Sequence, residues 1–183
     1  MTRHAVAPGE RSARLGRVTY VPTAVAATLH ARTAAYDIVL LAHVLSALVG
    51  LGTVAVAGAY AWALLRSGPQ SASESVRRYY RPGVNWAGRV LVLVPVLGIA
   101  LIAMSQGDWS FSDGWVVAGL MLWTVAVAVA EGVLWPAERR LQAVVTDPSS
   151  GTDVRGTCLQ VVGTAGGVVV VLVVAMVVMV AKP

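Results

Sequence analysis

The chain has 183 residues, of which 57% are hydrophobic and 13% are charged, and its mean hydropathy is +0.71. A soluble domain carries about 25% charged residues, so this composition excludes an ordinary soluble globule, a disordered tail and a nucleic-acid-binding arm, and it indicates a protein whose main partner is the lipid bilayer. The net charge of +5 comes from basic residues in tails and loops, where they signal membrane topology rather than nucleic-acid binding.

The N-terminal segment, residues 1–35, contains scattered arginines but no membrane-spanning run. A secretory signal peptide needs an uninterrupted short apolar core, whereas the stretch from 18 to 31 is broken by Pro22 and by polar residues. We therefore predict a mobile basic tail, with a short helix at the membrane interface near residues 23–32. The remaining residues, 36–183, are predicted to form one membrane domain.

Four long apolar runs follow the tail. Crossing a hydrocarbon core of about 30 Å takes about 20 helical residues, and each run has this length. Backbone groups in hydrocarbon must bond internally, which an isolated open strand cannot do, and no run shows the alternation of a barrel strand. The sequence predicts an all-α polytopic fold, a bundle of four transmembrane helices at about 38–65, 84–105, 114–135 and 159–181.

The charges of the connections predict an orientation. Residues 66–83 and 137–157 hold the arginines that flank the helices, and the second connection, residues 106–112, holds no lysine or arginine. Basic residues concentrate in cytoplasmic loops. We expect a multi-pass protein of the cell membrane, with the first and third loops in the cytoplasm and both termini outside.

Four ionisable side chains fall within or beside the predicted spans: Asp37, His43, Arg89 and Glu131. Such residues are costly in hydrocarbon and are often functional. Helices 2 and 3 run in opposite directions, which places Arg89 and Glu131 at similar depth, and we predict that they form an ion pair. Three roles stay open: a pin between two helices, a proton or ion relay, or an Arg89 that extends alone to the headgroups.

His43 is the one histidine inside a predicted span. We interpret it as a ring that bonds a neighbouring helix near Ser46, with haem or metal ligation and proton transfer as alternatives. The single cysteine, Cys158, is predicted to be a small apolar filler. Metal-ligand spacings, nucleotide-binding loops and hydrolase motifs are absent from the sequence, so we predict no catalytic residue, no cofactor, no metal site and no enzyme activity.

Small residues at four-residue spacing predict close helix packing. Gly163 and Gly167 form such a motif in helix 4, and two contacts are open to it: packing inside the monomer or dimerisation. Pro95 and Gly98 predict a kink in helix 2. Helix 1 carries a longer stripe of alanines, at Ala55, Ala59 and Ala63.

Three segments carry a family resemblance: YDIVLLAHVLSALVG at 36–50, RPGVNWAGRVLVLVPVLG at 81–98 and EGVLWPAERRLQ at 131–142. At these spacings residues 36–180 resemble the predicted integral membrane proteins called domain of unknown function 2269. The resemblance implies a compact four-helix membrane protein without an assigned activity, in which the first-helix histidine matches His43. The helix-1 pattern is also similar to membrane domains of copper-resistance type.

Two functional hypotheses follow from these patterns. The first is a structural or accessory subunit that docks onto a larger membrane assembly or self-associates through the small-residue faces of helices 1 and 4. The second is a small proton-coupled transporter or permease built around His43, Arg89 and Glu131. A haem- or metal-binding redox protein is a third alternative.

Overall fold

The computed structural model describes residues 23–83, 86–147 and 153–181, with side chains from residue 34 onward. The predicted all-α, four-span architecture is confirmed, because four helices are long and apolar enough to cross a membrane and the described ranges contain no strand. The basic tail as far as residue 22 lies outside the described residues. The chain divides into two compact units, Met1–Ala35 and Tyr36–Pro183, and the candidate sites described below lie in the second.

Seven α-helices make up the described chain, together with two short segments of other helical type. A 3-10 segment, Val90–Val92, joins the third helix to the fourth, and a π-helical turn, Ala130–Leu134, joins the fifth to the sixth. The α-helices are α1 (Thr23–Ser67), α2 (Glu74–Tyr79), α3 (Trp86–Arg89), α4 (Leu93–Met104), α5 (Gly114–Val129), α6 (Trp135–Thr146) and α7 (Val154–Ala181).

These helices supply the four membrane spans, and the ends of three of them differ from the prediction. Helix α1 begins at Thr23 instead of near 38, and α7 begins at Val154 instead of near 159. The third span does not end at 135. In chain order, spans 1 to 4 are Ala34–Ser67, Trp86–Met104, Gly114–Thr146 and Val154–Ala181.

The third span corrects the predicted loop 137–157, whose first ten residues are helical. Pro136 lies at the start of α6, directly after the π turn, and the helix continues past it. A helix of 33 residues rises about 50 Å, more than the hydrocarbon core of about 30 Å. The polar end of α6 therefore extends beyond the hydrocarbon.

Small side chains let spans 1, 3 and 4 pack closely. The buried face of span 1 repeats every three to four residues, through Val54, Ala57, Ala61 and Leu64. A Cβ on Gly58 would lie 3.0 Å from the Cβ of Ala165 in span 4. Because lipid is as apolar as these side chains, close van der Waals contact holds the bundle together rather than burial from water.

Pro95 in α4 is accommodated by a bond from span 3. Proline has no N–H to give to the carbonyl four residues earlier, which is the carbonyl of Leu91. The indole Nε1–H of Trp123 donates to that oxygen at 3.0 Å. The 3-10 segment lies immediately before this point, where the helix is wound more tightly.

Candidate functional site

His43 of span 1 lies against span 2. Its Nδ1 is 2.9 Å from the backbone carbonyl oxygen of Val94, and a Cβ on Gly98 would lie 3.3 Å from its Cε1. The glycine therefore leaves room for the ring. Ser46, the neighbour expected from the sequence, instead donates its hydroxyl to the carbonyl of His43 itself at 2.8 Å.

The bond to Val94 determines which ring nitrogen of His43 carries a proton. A carbonyl oxygen only accepts, so Nδ1 is the donor, and in the neutral ring Nε2 keeps its lone pair. Histidines that bind metals commonly hold the same bond to a backbone carbonyl. Across the described ranges, however, no three His, Cys, Asp or Glu side chains cluster in a way that could hold a metal ion.

Arg89 and Glu131 form the ion pair that was predicted from the antiparallel direction of spans 2 and 3. Arg89 Nη1 lies 3.2 Å from Glu131 Oε1, and the two side chains are 43% and 38% exposed. Glu131 lies in the π turn between α5 and α6, a kind of turn that is frequent at functional sites. The pair is thus on the outside of the bundle, where the start of span 2 lies against the π turn in the middle of span 3.

A close contact beside this pair fixes the start of span 2. A Cβ on Gly88 would lie 2.7 Å from Cζ2 of Trp135, closer than real Cβ atoms approach other heavy atoms. Trp135 follows the π turn directly and is 6% exposed. Glycine at 88 lets the backbone next to Arg89 rest on this indole, which holds Arg89 within reach of Glu131.

The four candidate side chains do not meet at one place. Asp37 is exposed on span 1. Val94, which His43 contacts, is five residues beyond Arg89, or about 7.5 Å along a helix. In the described part of the chain, no hydrogen bond or ion pair joins His43 to Arg89 or Glu131.

The structure reveals an aromatic and acidic group that the sequence did not suggest, which we call the loop-end cluster: Tyr60, Tyr79, Tyr80, Glu138 and Cys158. The rings of Tyr60 and Tyr79 stack at 4.4 Å with 9° between their planes, and Tyr79 and Tyr80 meet edge to face at 5.0 Å. The hydroxyl of Tyr79 donates to Glu138 Oε1 at 2.7 Å, and Glu138 is only 4% exposed. Cys158 is fully buried, as its interpretation as an apolar filler requires.

Helix α2 brings the two tyrosines to the bundle. Ser73 caps it by accepting the N–H of Val76, whose side chain is buried. The Arg77 guanidinium closes the preceding turn by donating to the carbonyls of Ala72 and Gln70. A serine cap followed by Glu74 is a helix-start signal, and it was the one sequence feature that could have placed these tyrosines on an ordered helix.

Burial in this cluster affects the two tyrosines in the first loop. Burial, with the nearby Glu138 adding to it, raises the pKa of Tyr79 well above its usual value of 10.0. The pKa of Tyr80 is raised in the same direction, chiefly by burial. Tyr80 is fully buried, and its hydroxyl has no hydrogen-bond partner among the residues that the structure describes.

The small residues of both motifs lie largely on the outside of the bundle. Ala55 and Ala59 are exposed and Ala63 is partly buried, so the alanine stripe lies on the side of span 1 opposite its buried face. A Cβ added at Gly163 or Gly167 would meet none of the described atoms within 4 Å apart from those of the adjacent turns of α7.

Both of these glycines line an open groove with a volume of about 430 Å³ between spans 3 and 4. Gly166 is open in the same way. We call this surface the glycine face of α7. The other wall of the groove is apolar, formed by Val125, Ala126, Val129 and Val133.

A family model described as "Predicted integral membrane protein (DUF2269)" matches residues 37–183. The chain belongs to this family. The DUF2269 region includes His43, the Arg89–Glu131 pair, the loop-end cluster and the glycine face, and it leaves out the basic tail. No curated protein and no solved structure matches the chain.

Proposed function

We propose that this DUF2269 protein is an accessory membrane subunit that acts by packing against other membrane helices, and that its first partner is a second copy of the same chain. The observation that supports this function is the glycine face of α7. Gly163 and Gly167 have the four-residue spacing of a close-approach motif, yet among the described residues an added Cβ at either position would have no neighbour within 4 Å beyond the adjacent turns of α7 itself.

Helix association in lipid depends on van der Waals contact and on close backbone approach, which small residues permit. A two-fold symmetric contact uses the same surface on both subunits, and a glycine ridge fits against another glycine ridge. The apolar groove beside α7 would then receive side chains of the second copy.

The test is the mass of the full-length protein in mild detergent, measured by light scattering. G163L and G167L each add a bulky side chain where the monomer has open space, so the monomer should fold as before. We expect the parent protein to be a dimer and both variants to be monomers at the same concentration. G52L on span 1 is the matched control, because an added Cβ at Gly52 also meets nothing within 4 Å, and this variant should stay dimeric.

Two results would overturn this proposal. A parent protein that is monomeric in detergent and in reconstituted bilayers would remove self-association. A dimer that survives G163L and G167L but is lost with G52L would place the contact on span 1 instead.

A proton-coupled transporter is the second candidate, favoured by the position of Glu131 in a π turn and by the half-exposed ion pair. It requires that protons reach Glu131 from water. Proton uptake into liposomes carrying the purified protein and an internal pH-sensitive dye would test it. Flux should disappear with E131Q and persist with D37N, since Asp37 is remote from the pair; flux no greater than that of empty liposomes would reject the transporter.

The orientation is part of the same proposal. The arginines of the first and third loops favour a cytoplasmic position for residues 66–83 and 137–157 and an outside position for both termini. Single cysteines at Ser71 and at Ser110, in a background in which Cys158 is replaced by alanine, would be labelled in intact cells with a membrane-impermeant maleimide. We expect labelling at 110 and not at 71, and the reverse pattern would invert the topology.

A further inference from the structure

A second groove lies where the end of α1 meets the start of α7. This is the end of the bundle that carries the first and third loops, which we call the loop end. Its volume is about 670 Å³, within the range of about 300–1,000 Å³ that small-molecule sites occupy. Trp62, Leu65 and Leu159 supply much of its apolar wall, and Arg66 and Arg155 supply its charge. None of these residues belongs to the glycine face or to the ion pair described above.

The two arginines are without an ionic partner in the part of the chain that the structure describes. The ion pair between Arg89 and Glu131 involves neither of them. By contrast, the guanidinium of Arg77 donates to backbone carbonyls and that of Arg140 to Gln160. Arg66 and Arg155 are both exposed, so their charges are available to an anion from outside.

The arrangement of charge and apolar surface follows the membrane depth. Arg66 is at the end of span 1 and Arg155 at the start of span 4. Trp62 and Leu159 lie four residues further into their spans, or about 6 Å deeper, and each is 49% exposed. The groove therefore has a basic mouth above an apolar wall, the order of a phosphate headgroup above its acyl chains.

The positive charge comes from the side chains and not from the start of α7. Asp153 already occupies that first turn, because its Oδ1 accepts the N–H of Gly156 at 3.0 Å. Arginine binds phosphate oxygens through two parallel N–H donors. Two such side chains on neighbouring helices can hold the phosphodiester of one lipid between them.

We propose that this groove binds an anionic glycerophospholipid, with Arg66 and Arg155 on its phosphate oxygens and with Trp62 and Leu159 along the first part of its acyl chains. Basic pockets between helices are a known way of holding anionic headgroups. The lipid would join span 1 to span 4 at one membrane surface. This site is independent of self-association through the glycine face.

The experiment compares lipids on the full-length, delipidated protein by native mass spectrometry. Phosphatidylglycerol and phosphatidylcholine with identical acyl chains serve as probes. We expect phosphatidylglycerol to be retained in preference to phosphatidylcholine, and inorganic phosphate at the same concentration not to displace it. Equal retention of the two lipids would overturn the proposal, and displacement by inorganic phosphate would make this a phosphate site rather than a lipid site.

Matched variants locate the site. Each arginine near an anionic headgroup contributes about a fivefold factor in affinity, so R66Q/R155Q should bind phosphatidylglycerol about 30-fold more weakly. R78Q/R139Q removes the same charge from exposed arginines outside the groove and should stay within about twofold of the parent. Equal losses in both double variants would show that general charge attracts the lipid, against the proposal.

Circular dichroism checks that the variants keep the helical content of the parent. Should R66Q/R155Q lose it, the single variants R66Q and R155Q replace it, with about a fivefold loss expected for each. W62A tests the apolar wall: it should weaken the binding of long-chain phosphatidylglycerol more than that of a six-carbon analogue. Unchanged affinity in both single arginine variants would contradict the proposed site.

Discussion

Replacing Trp123 by phenylalanine tests how the bundle tolerates a proline inside span 2. Pro95 cannot donate to the carbonyl of Leu91, and the Trp123 indole supplies a donor from span 3 at 3.0 Å. Phenylalanine keeps an aromatic ring at this position and removes the N–H. If the bond matters because Pro95 is there, then P95A, which restores a backbone donor, should make the indole dispensable.

The magnitude follows from hydrogen bonds between helices in membranes, which are worth about 0.6 kcal/mol on average and at most about 1.7 kcal/mol. Leu91 is 3% exposed, which favours the upper half of this range, so we expect a coupling free energy of about 1 kcal/mol between Trp123 and Pro95. The assay is reversible unfolding of the parent, W123F, P95A and the double variant in mixed micelles, followed by circular dichroism. Free energies of unfolding that add within about 0.3 kcal/mol would refute the compensating bond.

Three further predictions concern the loop end of the bundle. Y79F should lower the free energy of unfolding by about 2 kcal/mol, because it removes a hydrogen bond to the buried Glu138 carboxylate. Y80F should leave the free energy of unfolding unchanged or raise it, since the Tyr80 hydroxyl is buried without a described partner. Equal losses in the two variants would contradict this. Folding raises the pKa of both tyrosines, so their contribution to stability is complete below the unfolded-state pKa of about 10 and falls as the pH rises above it. The melting temperature should therefore drop between pH 9 and 11, and it should drop less steeply in Y79F/Y80F. An identical pH dependence in the double variant would contradict this. G88A should cost about 1–3 kcal/mol through overpacking against Trp135, at 2.7 Å from the new Cβ, and a melting temperature equal to that of the parent would show that the indole moves freely.

The four spans could be predicted because hydropathy over some twenty residues responds directly to the hydrocarbon thickness. The end of span 3 could not be placed this way, since Pro136 and the polar residues after it indicated a loop. The signal for a helix was nonetheless present in the spacing of Leu134, Ala137, Leu141 and Val144, which repeats every three to four residues. All four are buried, on one face that begins in the π turn and continues along α6.

Only the ion pair of the candidate site could be predicted, because the direction of neighbouring helices determines which residues lie at the same depth. Antiparallel neighbours brought Arg89 and Glu131 to one depth, and they pair. The partner of His43 is a backbone carbonyl, that of Val94, and composition carries no signal for such a partner. At about 100° per residue, Ala55 and Ala59 lie on the side of span 1 opposite its buried face, and hydropathy alone does not fix which side is buried in a helix that is apolar all round.

The most direct test of the account is disulfide cross-linking in native membranes. G163C would be made in a background in which the only natural cysteine, Cys158, is replaced by alanine, and treated with a membrane-permeant oxidant. V96C is the control, since Val96 is 57% exposed and lies on span 2 at a comparable distance from the loop end. A covalent dimer that forms with G163C and not with V96C is the predicted result, and a G163C chain that remains monomeric, or that cross-links no better than V96C, would contradict a helix surface held open for a second copy.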